Sequence, residues 1–205
     1  MAEKSSVFKE TYAHYLDRIA DVDLAAVAKR LGGEATDDGF CIPFFGRPYA
    51  VAPSGVTDPE GKRAPFDVCI VLFKSILMCP EVLPEAGEWT AFREFKDAAP
   101  LGGYFSANAL NAMVKAFTGR LDALGRAAEI IGGRPPEESL TYDLALVFDA
   151  LPRIPLLMLF NDAEEGFDAR CSILFRKSTE VYLDMECVGI LGAQLAGYLK
   201  AAAEG

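Results

Sequence analysis

Three apolar runs in the C-terminal third constrain the fold of this chain more than any other feature. The first alternates between a better buried and a more polar side, with Tyr142, Leu144, Leu146 and Phe148 on the apolar side. Ile154–Phe160 is apolar on both sides, as in a strand at the centre of a sheet, and Cys171–Phe175 is a further short run. Together the runs predict the strands of a mixed or antiparallel sheet.

Helices are predicted before and after these strands. Phe8–Ala20 carries an apolar stripe at helical spacing. Asp23 is placed to cap a short second helix that ends at Gly32. Pro65–Cys79 has a proline suited to the first turn and is apolar enough to be buried, and a last helix is predicted over roughly Leu183–Ala203.

Two segments between these helices have weaker signals. Residues 40–51 predict a hairpin whose strands are joined by Gly46-Arg47, since glycine suits the first position of a tight turn. Ser106 is a candidate cap for a helix that breaks at Gly119 or Gly125.

A chain of 205 residues can bury one substantial core. We therefore expect a single α+β domain with the sheet packed against helices. Its parts are a helical segment and hairpin at about 1–53, a helical middle at about 65–131, and the sheet with the last helix at about 140–203.

The charge balance excludes two classes of partner. Acidic residues outnumber basic ones by 30 to 20, and no stretch is rich in lysine or arginine. Neutralising a row of phosphates needs such a stretch, so nucleic acid and anionic membranes are not expected partners. The N-terminal MAEKSSVFKETY has no apolar signal region, which predicts a cytoplasmic location.

The cysteine and histidine content argues against a metal or cofactor. The five cysteines are scattered, lack CxxC spacing and lie mostly among apolar neighbours, so we expect buried thiols and no disulfide framework. His14 is the only histidine and falls on the polar side of its helix. We therefore predict no cofactor and no zinc or iron–sulfur site.

The loop NDAEEGFDAR joins two of the predicted strands and is the first candidate site. It contains four carboxylates within seven residues, Asp162, Glu164, Glu165 and Asp168. Such a loop could bind a hard cation or a ligand, with Arg47 or Arg153 as the electrostatic counterweight. The spacing does not fit an EF-hand, so the favoured interpretation is a solvated connection between strands.

The segment GEWTAFREF is the second candidate. Trp89 could form an aromatic wall for a ligand while Arg93 fixes an anion. The alternative is that its aromatic side chains close the edge of the core.

The last helix has one side made of small residues, Gly189, Gly192, Ala193, Ala196 and Gly197. Small residues let a second backbone approach closely. Packing inside the monomer is favoured, and a homodimer through this face is the alternative.

Three stretches resemble a known family. They are FFGRPYAV, GEWTAFREF followed by GGYF, and the block that begins LPRIPLLMLFNDAEEGFDARC. The chain resembles the domain of unknown function 3786 family, found mainly in anaerobic bacteria and archaea, for which no activity is established. Some relatives carry an added cysteine-rich iron–sulfur module that this chain lacks. The family tends to have an aspartate where Arg176 stands, which weakens the case for a metal site here.

These observations rank three hypotheses for function. A cytosolic binding module for a small molecule or a protein partner in anaerobic metabolism is favoured, because no serine has a histidine partner within reach and the known nucleotide-binding and metalloprotease motifs are missing. A carboxylate- and metal-dependent enzyme is the alternative, since paired acids can catalyse proton transfer without histidine. The third hypothesis is a structural subunit that docks through the last helix.

Overall fold

The computed structural model describes the backbone of residues 2–205 and the side chains from Phe8 onward. Helices accompany two four-stranded antiparallel sheets in this part of the chain. The predicted α+β class is confirmed, and the strands belong to two sheets instead of one.

The N-terminal segment forms two helices, α1 (Ala2–Ile19) and α2 (Leu24–Leu31). The carboxylate of Asp23 accepts a hydrogen bond from the backbone N–H of Ala26 at 3.0 Å. Gly32 ends α2 with a left-handed φ of 83°. Both ends of α2 therefore follow the prediction, because they are set by local capping chemistry.

The first sheet is a meander of neighbouring strands in the order β1-β2-β3-β4. Its strands are β1 (Glu34–Thr36), β2 (Gly39–Phe44), β3 (Arg47–Ala52) and β4 (Gly55–Thr57).

The predicted hairpin forms as β2 and β3, but its turn lies one residue earlier than predicted. Phe45 and Gly46 occupy the turn with φ of 46° and 78°, the left-handed pair of a type I′ turn. A left-handed phenylalanine costs about 1–2 kcal/mol. Two contacts offset this cost: the ring packs against Tyr198 with centroids 5.4 Å apart, and the Phe45 N–H donates to the carbonyl of Ala150 at 3.0 Å.

The middle of the chain contains helices, one short strand and a connection without regular structure at residues 79–88. Helix α3 (Phe66–Leu77) follows Pro65, as predicted, and the strand is β5 (Trp89–Ala91). Single 3₁₀ turns at Phe92–Glu94 and Ala99–Leu101 lead into the next helix.

A nearly continuous helical segment then runs across α8, the last helix described below. It consists of α4 (Gly102–Phe105), a π-helical turn (Ser106–Leu110) and α5 (Asn111–Phe117), and α6 (Leu121–Ile130) follows. The prediction that Ser106 caps a helix is wrong, because the helical backbone of α4 precedes it and Ser106 itself has helical φ and ψ. The break falls at Gly119, with φ of 69°, and not at Gly125 inside α6.

The second sheet has the order β5-β8-β7-β6 and contains the three predicted C-terminal strands. They are β6 (Leu144–Leu151), β7 (Ile154–Asn161) and β8 (Arg170–Arg176). Strand β7 is central, as its apolar sequence indicates. The segment around Trp89 pairs antiparallel with β8 and forms an edge of the sheet.

The chain ends in a short helix, α7 (Thr179–Tyr182), and a long one, α8 (Met185–Glu204). The carboxylate of Asp184 caps α8 by accepting the N–H of Cys187 at 3.0 Å. Helix α8 packs on α3, on α6 and on the π-helical turn, so it lies at the centre of the helical layer. Within residues 2–205, no helix combines the length and apolar character needed to cross a membrane.

Candidate functional site

An open cavity lies between α1, α3, α8 and the Leu101–Tyr104 segment. Its volume is about 480 Å³. Most of the lining residues are apolar or aromatic. The full lining consists of Phe8, Thr11, Tyr15, Phe66, Asp67, Ile70, Leu101, Tyr104, Met185, Glu186, Gly189 and Ile190. A cavity of this size and character suits a small organic ligand.

A second cavity of about 420 Å³ adjoins the first and shares Asp67, Tyr104 and Ile190 with it. Its remaining lining residues are Ala193, Gln194, Gly197 and Tyr198. We call the two cavities together the α8 groove, because one side of α8 forms the floor of both.

The small side of α8 explains how the groove is shaped. Gly192 lies so close to the π-helical segment that a Cβ built on it would be 2.4 Å from Cε2 of Phe105. At Gly189 a Cβ would meet the ring of Tyr104 at 3.6 Å, and at Gly197 it would meet nothing within 4 Å. Part of the small side is therefore used for packing inside the molecule, and the rest lies open along the groove.

Asp67 lies where the two cavities meet. It belongs to the first turn of α3, and its carboxylate accepts hydrogen bonds from the N–H of Val68 and from the side-chain amide of Gln194 on α8. Gln194 thus ties the start of α3 to α8. The bond also orients the carboxylate toward the groove floor.

Tyr198 lies at the far end of the groove. Tyr198 separates the second cavity from a further one of about 300 Å³, which Phe45, Arg47 and Tyr49 also line. Burial raises the pKa of the Tyr198 hydroxyl, and the nearby Tyr49 and Asp67 raise it further. Tyr198 therefore stays protonated at neutral pH and can donate a hydrogen bond.

A partly buried ion pair supports the other end. Nζ of Lys74 on α3 lies 2.5 Å from the carboxylate of Asp184, and 5.9 Å from the ring centroid of Tyr15. Burial alone would raise the pKa of Asp184, but the Lys74 bond and the Cys187 N–H outweigh burial and lower it. The pair fixes the start of α8 against α3, beside the groove residue Glu186.

The acidic loop joins β7 to β8, as predicted, and lies apart from the α8 groove. The Asp162 carboxylate accepts the N–H groups of Gly119 and Ala163, each at 2.8 Å, which ties the loop to the turn before α6. Glu164 and Phe167 close the loop tip with paired backbone hydrogen bonds, and Glu165 and Asp168 are exposed. Across the described residues, no three histidine, cysteine, aspartate or glutamate side chains are grouped to hold a metal ion.

The two arginines considered as counterweights have partners elsewhere. Arg47 lies 2.5 Å from Glu60 and 3.5 Å from Asp58. The Nε of Arg153 donates to the carbonyl of Arg30 at 3.2 Å. The structure therefore does not bring either arginine to the acidic loop.

Trp89 and Arg93 do not share a pocket either. Trp89 lies on the edge strand β5, where the guanidinium of Arg176 stacks 4.0 Å above its ring. Arg93 lines a separate cavity of about 340 Å³ next to Phe92. The Phe92 ring is buried and stacks on Phe105 with centroids 4.3 Å apart, so it closes the core.

Sequence reasoning did not identify the charged residues of the groove as a site. Asp67 and Gln194 are 127 residues apart, and no motif links them. The sequence feature that could have indicated the groove is the small side of α8, because a glycine on a long helix can leave a cavity beside the helix. Tyr104 follows two glycines in GGYF, and these small neighbours likewise could have indicated space beside an aromatic ring.

The comparisons with known proteins identify a family. No curated protein and no solved structure is detectably similar to the chain. The family model described as "Domain of unknown function (DUF3786)" matches residues 23–198. This range contains α3, Tyr104 and the part of α8 up to Tyr198, whereas the α1 wall of the groove precedes it. Because the match spans most of the sequence, the chain belongs to the DUF3786 family.

Proposed function

We propose that this protein is a binding module whose small-molecule ligand occupies the α8 groove. The cavity of about 480 Å³ with aromatic walls carries this proposal. Ligand sites are typically concave, about 300–1,000 Å³ in volume, and mostly apolar with a few polar groups that fix orientation. In the groove, Asp67, Gln194 and Tyr198 are such polar groups.

The side chains that line the groove favour binding over catalysis by a nucleophile. Among the side chains that the structure describes, neither cavity is lined by a histidine, cysteine, serine or lysine. The buried Cys69, next to Asp67 on α3, has its pKa raised to about 11 by burial, so it is a thiol at neutral pH. The proposal includes the single-domain organisation and cytoplasmic location that the sequence predicts.

Filling the groove from its floor tests the proposal. Gly189→Phe would place a ring beside Tyr104, while Gly189→Ala would add only a methyl group at an ordinary 3.6 Å contact. Gly125→Phe on α6 is the matched control, because a Cβ built there meets nothing within 4 Å. The probe is Nile red, a neutral apolar dye, titrated by fluorescence into each folded variant.

We expect saturable binding to the wild type that is lost in Gly189→Phe and kept in both controls. Circular dichroism establishes that each variant is folded. Equal dye binding by Gly189→Phe and the wild type would show that the dye, and by extension a ligand, does not use this groove.

A further inference from the structure

We propose that the α8 groove selects a small organic cation, namely a protonated amine on an apolar body. This inference rests on the proposed function, since it assigns the ligand class of the same groove. It follows from the charges and the aromatic rings that line the first cavity.

The charge of the cavity can be worked out from its lining. Asp67 and Glu186 contribute two negative charges, and among the side chains described, from Phe8 onward, no lysine or arginine lines the cavity. Both carboxylates lie in the first turn of a helix, Asp67 in α3 and Glu186 in α8. The dipole of each helix contributes about half a positive charge at that end. Two carboxylates and two helix ends leave about one negative charge. One protonated amine would balance it.

Neighbouring charged groups do not cancel the remaining negative charge of the cavity. Lys74, the basic side chain beside the start of α8, is already paired with Asp184 at 2.5 Å. Asp67 is bound to neutral donors, the amide of Gln194 and a backbone N–H. These bonds orient the carboxylate and leave its charge in place. Glu186 is exposed at the rim, where an entering cation would meet it.

The rings of the cavity favour the same kind of ligand. Phe66, whose ring lies 4.6 Å from that of Phe8, and Tyr104 both line the cavity. Phe8 and Tyr104 are 45% and 46% exposed, so their faces are accessible from the entrance. The electron-rich face of an aromatic ring attracts a cation, and the apolar walls accept the body that carries it.

Three probes with the same carbon skeleton separate charge from shape: 3-phenylpropylammonium, 3-phenylpropan-1-ol and 3-phenylpropionate. Their affinities are measured by calorimetry at neutral pH and low salt. We expect the ammonium to bind about 3- to 10-fold more tightly than the alcohol, as for other partly exposed ion pairs, and the carboxylate to bind most weakly.

Charge-removing variants test which residues cause the preference. Glu186→Gln keeps the size of an exposed side chain, and Asp67→Asn keeps an oxygen that can accept from Gln194. Each should reduce the preference for the ammonium over the alcohol, whereas Glu129→Gln, an exposed position on α6, should not.

Failure of this inference can be distinguished from failure of the proposed function. If Gly189→Phe blocks all three probes but the alcohol or the carboxylate binds as tightly as the ammonium, the groove binds ligands and the cation selectivity is wrong. An ammonium preference that survives both charge-removing variants would also overturn the selectivity. If Gly189→Phe leaves binding of the probes unchanged, or if none of them binds, the inference is wrong; unchanged binding also contradicts the proposed function.

Discussion

Replacing two glycines of α8 by alanine should change stability in opposite directions. A Cβ at Gly192 would lie 2.4 Å from Cε2 of Phe105 and 3.2 Å from Cβ of Ala109. At Gly197 it would meet nothing within 4 Å. The two substitutions are chemically identical and lie in the same helix, so their difference reports the cost of close packing alone.

The expected magnitudes follow from two opposing contributions. Alanine is favoured over glycine in a helix by about 1 kcal/mol, which stabilises both variants. The added methyl group at Gly192 needs more than 1 Å of movement to reach a normal carbon–carbon distance of about 3.5–4.0 Å. The Phe105 ring cannot yield freely, because it is buried and stacked on Phe92 at an interplanar angle of 6°. Overpacking of this kind costs about 1–3 kcal/mol.

We therefore expect Gly197→Ala to be more stable than the wild type by about 0.5–1 kcal/mol. Gly192→Ala should be less stable, by up to about 2 kcal/mol. Guanidinium unfolding followed by the fluorescence of Trp89 and by circular dichroism measures both. In a chain of this length each kcal/mol corresponds to about 2–4 °C in Tm. Equal stabilisation of the two variants would refute the reasoning, since it would mean that Phe105 moves aside without cost.

Two further predictions concern charged groups outside the groove floor. Asp184→Asn keeps a residue that can cap α8 but removes the charge paired with Lys74, so the variant should lose about 0.5–1 kcal/mol at neutral pH. Because the pKa of Asp184 is lowered in the folded state, its contribution is present above the ordinary carboxyl value of about 4 and is lost as the pH falls through the lowered pKa. The difference in free energy of unfolding between variant and wild type, measured by urea unfolding over a pH series, should therefore vanish in strong acid. A difference that persists there would contradict the ion pair with Lys74. For the acidic loop, millimolar calcium, magnesium or manganese should leave Tm unchanged, because Asp162 is already bound to backbone N–H groups. A rise in Tm that disappears in Glu164→Gln/Glu165→Gln would reverse this interpretation.

The parts of the fold that the sequence predicted are those that depend on local chemistry. Helix α2 begins at an aspartate cap and ends at a left-handed glycine, and both signals lie within ten residues of each other. Strand β5 could not be predicted in this way. It has three residues, and it is extended because Trp89 and Ala91 pair with the edge of β8, far away in sequence. The hairpin turn was predicted one residue too late, at Gly46-Arg47. Its true position requires a left-handed φ at Phe45, and the tertiary contacts of Phe45 that offset the cost of this φ are not visible in the sequence.

The candidate site residues differ in the same way, because some have partners near them in sequence and others have partners far away. Arg47 was considered as a partner of the acidic loop, yet it pairs with Asp58 and Glu60, which the turn after β4 brings next to it. Near neighbours in sequence are the common partners of an exposed arginine, because little chain entropy is lost in bringing them together. Pairing across the molecule, as between Asp67 and Gln194, needs the whole fold to be in place.

The groove and the core are consequences of the same helix side. Phe105 is seated against Gly192, and the residue before it, Tyr104, is consequently held over Gly189 at ordinary contact distance. The space beneath Tyr104 is kept open because Gly189 has no side chain to fill it, while the tight contact one turn away prevents the segment from settling closer. A run of small residues can therefore build a close contact and a cavity next to each other. Stability at Gly192 and the shape of the groove at Gly189 are thus physically coupled through two consecutive aromatic residues.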